Sequence, residues 1–196
     1  MNPLQKTIRT FLGIDLPLTV KKALGDTQVR FKALKLHASW VKPENIHLTL
    51  KFLGDVSPQQ ISLVKEELLQ ALEPVFPFQA SLGPTGVFPN INRPRTLWVG
   101  LEDPEGRLSD LHQRVEETLQ NLGFPGEKRP FSPHLTLARI KSPKNKGLLR
   151  DSLESLPKPP LLKFDISSVK LYKSELTPKG SIYTVLEELK LGPASD

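Results

Sequence analysis

A shift of 87 positions lays one half of this chain on the other without a gap, and that internal repeat constrains the fold before any single residue does. His47-Leu48-Thr49-Leu50 returns as His134-Leu135-Thr136-Leu137, and Phe11-Leu12-Gly13-Ile14 falls on Trp98-Val99-Gly100-Leu101. Pro17 meets Pro104, and Lys42-Pro43 meets Arg129-Pro130. The period is too long for a solenoid and describes an old duplication whose halves share an order of elements. One His-x-Thr-x is a weak pattern. Two identical copies in register, with matching flanks, point to a paired site; the plainer reading is one structural histidine kept in each half.

Patterning supplies the order of elements. Leucine and β-branched content predicts strands at Ile8 to Ile14 and over the two tetrapeptides, at Ile46 to Leu53 and His134 to Ile140. Asp15-Leu16-Pro17 leads into a helix ending near Leu36. Ser57-Pro58 gives an N-cap and a first-turn proline to a helix with Ile61, Val64, Leu68 and Leu72 at helical spacing. Phe78 to Leu82 reads as a strand, and Pro74, Pro77, Pro84, Pro89 and Pro94 mark turns and extended segments between the halves. Then follow a strand at Thr96 to Leu101, a helix at Pro104 to Leu122 and the second motif strand. A shorter helix near Leu148 to Leu156 and strands near Leu162 to Tyr172 and Ser181 to Leu189 complete the order. The expected organisation is a single domain over residues 1–196 built from two duplicated lobes, roughly 1–90 and 91–196. The final strands cross between lobes, so a cut at the boundary should not yield independent domains.

Strand alternation puts His47, Thr49 and Lys51 on one face and Leu48, Leu50 and Phe52 on the other. His134 shares a face with Thr136, opposite Leu135 and Leu137. Each copy therefore presents an imidazole beside a hydroxyl. Two copies across a cleft supply one group that accepts a proton and one that donates it, which suits displacement at phosphorus. An ordinary imidazole pKa of about 6.5 lets one ring be neutral and the other protonated near neutral pH. The hydroxyls of Thr49 and Thr136 can donate to non-bridging phosphate oxygens and hold phosphorus in line. No metal or other cofactor is required. A near-symmetric pair works in either sense, so the residues alone do not say which histidine is the acid.

Beyond the repeat, the chain carries Thr10-Phe11-Leu12-Gly13-Ile14-Asp15-Leu16-Pro17 and Trp40-Val41-Lys42-Pro43-Glu44-Asn45-Ile46 before the first motif, with Lys51-Phe52-Leu53-Gly54 after it. Gly86-Val87-Phe88-Pro89, Leu97-Trp98-Val99-Gly100 and Arg129-Pro130-Phe131-Ser132-Pro133 through Arg139 follow. On these segments, which cover nearly the whole chain, it resembles the 2H phosphoesterases. Within them it is similar to the LigT-like RNA 2',3'-cyclic phosphodiesterases, also called ThpR and formerly RNA 2',5'-ligases. The resemblance implies a two-lobed α+β fold, with two antiparallel sheets facing a central cleft and helices outside. It implies hydrolysis of a terminal RNA 2',3'-cyclic phosphate to a 2'-phosphomonoester, with His47 as proton donor to the leaving 3' oxygen and His134 as the acceptor that activates water. The reverse sense gives 2',5'-ligation.

The family also places a phosphate-contacting arginine at Arg139. Strict alternation opposes this, because position 139 has the parity of Leu135 and Leu137; a bulge or strand end after Leu137 is needed to bring it round. Its repeat counterpart is Phe52, so the site is only pseudo-symmetric. Lys51 has the parity of the cleft but no family role, and reads as a solvated lysine or a weak RNA contact. Phe11 and Phe131 are candidates for nucleotide stacking against a core-packing alternative, and Phe11 has Trp98 as its repeat partner. At Ser132 similar proteins often carry a larger residue such as arginine, a departure that bears on recognition of the base or distal phosphate. His37 and His112 have no partner at metal-ligand spacing and are expected to face solvent.

Composition bounds the alternatives. A formal charge of +6 and a pI near 9.5 fit a polyanionic partner such as RNA. The cluster from Lys141 to Arg150 reads either as a loop grazing phosphates or as a solvated face. With no cysteine there is neither disulfide nor thiolate nucleophile. No apolar run long enough for a secretory signal or a membrane span is present, and the expectation is a cytoplasmic monomer. Two readings stay open beside RNA hydrolysis: a phosphodiesterase for small cyclic nucleotides, and a non-catalytic module that binds RNA or a nucleotide.

Overall fold

Strand β1 (Ile8–Ile14) leads into helix α1 (Leu18–Lys32), and a short strand β2 (Ala38–Trp40) precedes the first motif strand β3 (Leu48–Val56). Helix α2 (Pro58–Leu72) and strand β4 (Phe78–Phe88) follow, then β5 (Thr96–Glu102), α3 (Arg107–Asn121) and the second motif strand β6 (His134–Ile140). Helix α4 (Lys146–Ser155) and strands β7 (Lys163–Ile166), β8 (Ser168–Thr177) and β9 (Gly180–Lys190) complete the chain in this computed structural model, which describes residues 7–142, 144–155, 159–178 and 180–192. The expected elements are present, and their ends differ for identifiable reasons. Helix α1 stops at Lys32, short of Leu36: Lys35 takes a left-handed φ of 52°, and the Asn145 side chain donates to the carbonyls of Leu34 and Lys35. Helix α3 begins at Arg107, not Pro104, because Gly106 adopts a φ of 75° and the Asp103 carboxylate accepts from Leu108 N. Ser57 caps α2 as expected, in a reciprocal capping box with Gln60.

Strand β4 runs on through Pro84, which had read as a turn. The ladder with β5 shifts register between Leu82 and Thr85, so the residue lacking an N–H sits in the irregularity. The span expected as one strand near Leu162 to Tyr172 is two. It breaks at Ser167, and its pieces go to different places: β7 pairs with β4, and β8 with β1. Leu156, expected to end the fourth helix, lies outside the described residues.

The strands form one sheet in the order β7-β4-β5-β6-β3-β1-β8-β9, every pairing antiparallel, with β2 added on β6. The two sheets expected to face a cleft are joined where β3 meets β6, and that junction is one residue pair, Leu48 opposite Leu135. The 87-residue shift carries β1 onto β5, β3 onto β6 and β4 onto β8. Strand β8 completes the sheet around β1, while β4 completes the sheet around β5. One sheet face is packed with Leu12, Leu48, Leu97, Val99, Leu135 and Leu137 against helix residues such as Leu24, Leu68, Leu111 and Leu119, all buried. Each such side chain contributes about 2 kcal/mol. Among the described residues no helix is long and apolar enough to cross a membrane.

Candidate active site

Each motif strand carries a bulge at the same repeat position. In the β1/β3 ladder Gly13 pairs with Thr49 and Leu12 with Lys51, leaving Leu50 unpaired. In the β5/β6 ladder Trp98 pairs with Thr136 and Leu97 with Ala138, leaving Leu137 unpaired. An extra residue resets the alternation. Arg139 is thereby turned to the face of Thr136, as its family role needs, and both line the cleft. Two expectations are corrected by the same device in β3. Phe52, expected in the core, is 64% exposed and lines the cleft. Lys51, expected to face the cleft or solvent, turns to the helix side, where its Nζ donates to Glu116 Oε2 at 2.6 Å and to the Pro125 carbonyl at 2.7 Å.

The cleft has a volume of about 370 Å³ and is lined by His47, Thr49, Phe52, Thr136 and Arg139 together with Trp40 and Lys42, and with Ser181 and Tyr183 from β9. His134 is not among the lining residues; it stands on β6 two positions before Thr136, half-buried and edge-on to Phe88, with ring centroids 4.9 Å apart. Counting outward from the Leu48–Leu135 pair, His47 falls across from Thr136 and His134 across from Thr49.

Both imidazoles are held alike. His47 Nδ1 lies 2.8 Å from the Asn45 carbonyl, and His134 Nδ1 lies 2.7 Å from the Ser132 carbonyl, the residue two before it in each case. A carbonyl only accepts, so Nδ1–H is the donor and Nε2 is left for chemistry. The Thr49 hydroxyl is 3.1 Å from His47 Nε2. Gly13 leaves room for this ring: a Cβ there would stand 2.8 Å from the Leu48 carbonyl and 3.3 Å from His47 Cδ2.

Phe11 is corrected as a base-stacking candidate. It is 2% exposed, packed face to face with His47 (4.7 Å) and Tyr172 (4.9 Å), and edge-on to Tyr183 (5.0 Å). Its ring backs the imidazole and has no free face for a base. Trp98, its repeat partner, lies 6.4 Å from His134. Phe131 is corrected too: one face of its ring is taken by His112, stacked at 4.0 Å, and it is not among the residues lining the cleft. That contact overturns solvent exposure for His112, whose side chain is 12% exposed and whose Nε2 is 3.8 Å from Glu116 Oε1. His37 is exposed, as expected.

Burial holds His47 below the ordinary imidazole range; its Nδ1 bond to Asn45 and the charge of Asp15 pull the other way. Burial also raises the Asp15 carboxyl, but bonds to Lys21 at 2.7 Å and Lys170 at 3.0 Å outweigh it and keep Asp15 below the usual range.

Sequence reasoning missed Gln28. Fully buried on α1, its Nε2 donates to the carbonyls of Val41 (2.6 Å) and Leu137 (2.9 Å), so it braces the bulge that turns Arg139 into the cleft. The signal was a polar residue in the apolar stripe Val20, Leu24, Phe31. Trp40, Ser181 and Tyr183 were missed as well. The β9 hairpin is brought to the cleft by Asn45 Nδ2 donating to Ser181 O at 2.8 Å, a contact spanning most of the chain. Among the described residues no three His, Asp or Glu side chains converge as metal ligands would.

A family model described as the 2'-5' RNA ligase superfamily matches residues 25–178. An RNA 2',3'-cyclic phosphodiesterase of Methanothermobacter thermautotrophicus is 35% identical over 184 residues, 94% of this chain and 99% of that protein. One from Methanocaldococcus jannaschii is 37% identical over 183 residues, 92% of this chain and 99% of its own. E. coli LigT, solved in complex with 3'-AMP, superposes with a TM-score of 0.75 over 94% of this chain and 98% of that one; at 24% identity this is a likeness of fold.

Proposed function

The chain belongs to the 2'-5' RNA ligase superfamily, and from that premise we propose that it hydrolyses the 2',3'-cyclic phosphate at an RNA end to a 2'-phosphomonoester, without a metal. The relatives that match nearly its full length are named RNA 2',3'-cyclic phosphodiesterases. The observation that carries the chemistry is the equivalent tethering of His47 and His134 through Nδ1, which leaves two Nε2 atoms to exchange protons with a substrate.

Water attacks phosphorus and gives its proton to His134 Nε2 as the P–O3' bond breaks, and His47 Nε2 protonates the departing 3' oxygen. Thr49 and Thr136 donate to the non-bridging oxygens, and the Arg139 guanidinium meets the charge that grows on them. A 5'-hydroxyl in place of water leaves phosphate bridging 2' to 5', which is ligation at the same site. Phe52 and Tyr183 offer aromatic surface for the terminal base, in place of Phe11 and Phe131. The domain acts as one unit built from two exchanged lobes, as a cytoplasmic monomer.

The test is incubation with a short RNA ending in a 2',3'-cyclic phosphate, in excess EDTA, with the 2'-phosphate and 3'-phosphate products resolved. Accumulation of the 2'-phosphate is expected. A 3'-phosphate product, or turnover abolished by the chelator, sinks the mechanism, and binding without turnover favours the non-catalytic module.

A further inference from the structure

Thirteen of the chain's 27 lysines and arginines, and none of its 21 acidic residues, fall in three segments, residues 27–43, 74–101 and 128–150. The fold draws these segments together at the end of β6. Ala38 and Ser39 pair with Ile140 and Arg139. Lys141 N donates to the His37 carbonyl and Ile140 N to the Arg95 carbonyl, each at 2.8 Å. Asn145 ties α4's start to the carbonyl of Leu34 at 3.1 Å, and Arg150 reaches the Asn92 side chain at 3.2 Å.

The result is a cluster of exposed cations: Lys35, Arg93, Arg95, Lys141, Lys146 and Arg150. It is continuous with the cleft. Arg139 lines the cleft, and Lys32 Nζ lies 5.4 Å from the ring of Trp40, which lines it too. Six lysines elsewhere are neutralised: Lys21 and Lys170 by Asp15, Lys51 by Glu116, Lys65 by Glu187, Lys173 by Glu175 and Lys190 by Glu188. Among the described residues, none of the six clustered cations has a carboxylate within ion-pair distance. Like charges gathered without counter-charges repel one another, and a polyanion relieves that repulsion by releasing its own counterions. A mononucleotide seated in the cleft has no phosphate to place beyond Arg139.

We propose that this end of the molecule is a track for the RNA strand leading to the reacting end, with upstream phosphates running from the cleft over the end of β6 and the start of α4. The inference rests on the RNA reading of the cleft and deepens it: the substrate is an oligonucleotide long enough to carry phosphates upstream of the cyclic end.

The test is the charge-reversed variant Lys141→Glu/Lys146→Glu/Arg150→Glu, assayed on a 2',3'-cyclic mononucleotide and on an oligonucleotide with the same end. Binding of an oligonucleotide ending in a 2'-phosphate is followed by fluorescence anisotropy against salt. The variant should lose tenfold or more in kcat/KM on the oligonucleotide and stay within twofold on the mononucleotide. Its salt dependence of binding should be shallower by about two in logarithmic slope, at about 0.7 per phosphate contact on a single strand. Unchanged oligonucleotide binding, or equal losses on both substrates, overturns the track. If the unaltered protein hydrolyses neither substrate, it is the proposed reaction that fails, and the anisotropy measurement still decides the track.

Discussion

Leu48 and Leu135 are cross-strand partners, and each is the other's image under the 87-residue shift. When a strand pairs with its own duplicate at the equivalent residue, the pseudo-twofold axis passes between the two. The groups proposed for chemistry fall symmetrically about it: His47 with His134, Thr49 with Thr136, and the bulged Leu50 with Leu137. Symmetry ends just past the bulges. Phe52 and Arg139 face the cleft at equivalent positions, one aromatic and one cationic, while Lys51 and Ala138 face the helices. The duplication thus places two imidazoles at equivalent positions, and divergence after the bulge sets an aromatic side of the cleft against a cationic one.

Replacing either His47 or His134 with alanine should lower kcat by two or more orders of magnitude, the usual contribution of a positioned acid or base. Each is half of one displacement, so the double variant should be little worse than the poorer single. Near-normal turnover by either single variant removes the paired mechanism.

The assignment of His47 as donor has a consequence for Asp15. Burial already holds the His47 pKa down, and the Asp15 charge partly restores it. Asp15→Asn therefore lowers it further and reduces the protonated fraction at pH 7. A donor must be protonated, so kcat/KM at pH 7 should fall and its loss with rising pH should begin at lower pH. An acceptor must be neutral, and with His47 in that role the rate at pH 7 would hold. Measuring kcat/KM against pH for the two proteins separates the roles, which the tethers of the two rings do not.

The motif strands, the capped α2 and the equivalent placement of the two motif histidines were legible because they rest on local rules: a period of two, a Ser-Pro helix start, an exact repeat. The bulges were not. An extra residue in a ladder leaves no mark on composition, so His47 through Phe52 reads as straight alternation while the fold exchanges the faces of Lys51 and Phe52. Arg139 is the informative case, since its family role conflicted with its parity and the conflict required the bulge found at Leu137. The contribution of β9 to the cleft was illegible for another reason: it depends on contacts between residues more than a hundred positions apart.

Gln28 should matter to Arg139 without touching the cleft. Gln28→Leu keeps the volume but removes a donor from the Leu137 carbonyl, leaving that bulge with the Val41 N–H alone and depriving the Val41 carbonyl of the same side chain. The expected stability loss is about 2 kcal/mol. Turnover should fall about tenfold with loss of transition-state charge stabilisation. In an Arg139→Ala background the same substitution should leave turnover nearly unchanged, because the side chain it positions is gone. Independent, additive losses would show that Gln28 acts on the fold alone.

Lys51 and Glu116 form a buried ion pair, with side chains 5% and 9% exposed, on the sheet face opposite the cleft. Burial raises the Glu116 carboxyl, but its bond to Lys51 and the Glu127 N–H outweigh this and leave the pKa below the usual range. A carboxyl depressed in the folded state stabilises above its unfolded pKa, and that contribution disappears as pH falls through the folded value. Lys51→Met strands Glu116 without its counter-ion and should cost about 3 kcal/mol near neutral pH. The penalty should shrink on acidification, as protonation removes the uncompensated charge. Lys51 also holds the Pro125 carbonyl, in the segment running on to Ser132, whose carbonyl orients His134. The variant's turnover at temperatures where it remains folded should therefore fall, and the paired substitution Lys51→Met/Glu116→Leu should recover much of the stability but not the rate. Urea denaturation from pH 4 to pH 8, alongside kcat for both variants, checks each part. A destabilisation independent of pH would exclude the stranded carboxylate as its cause.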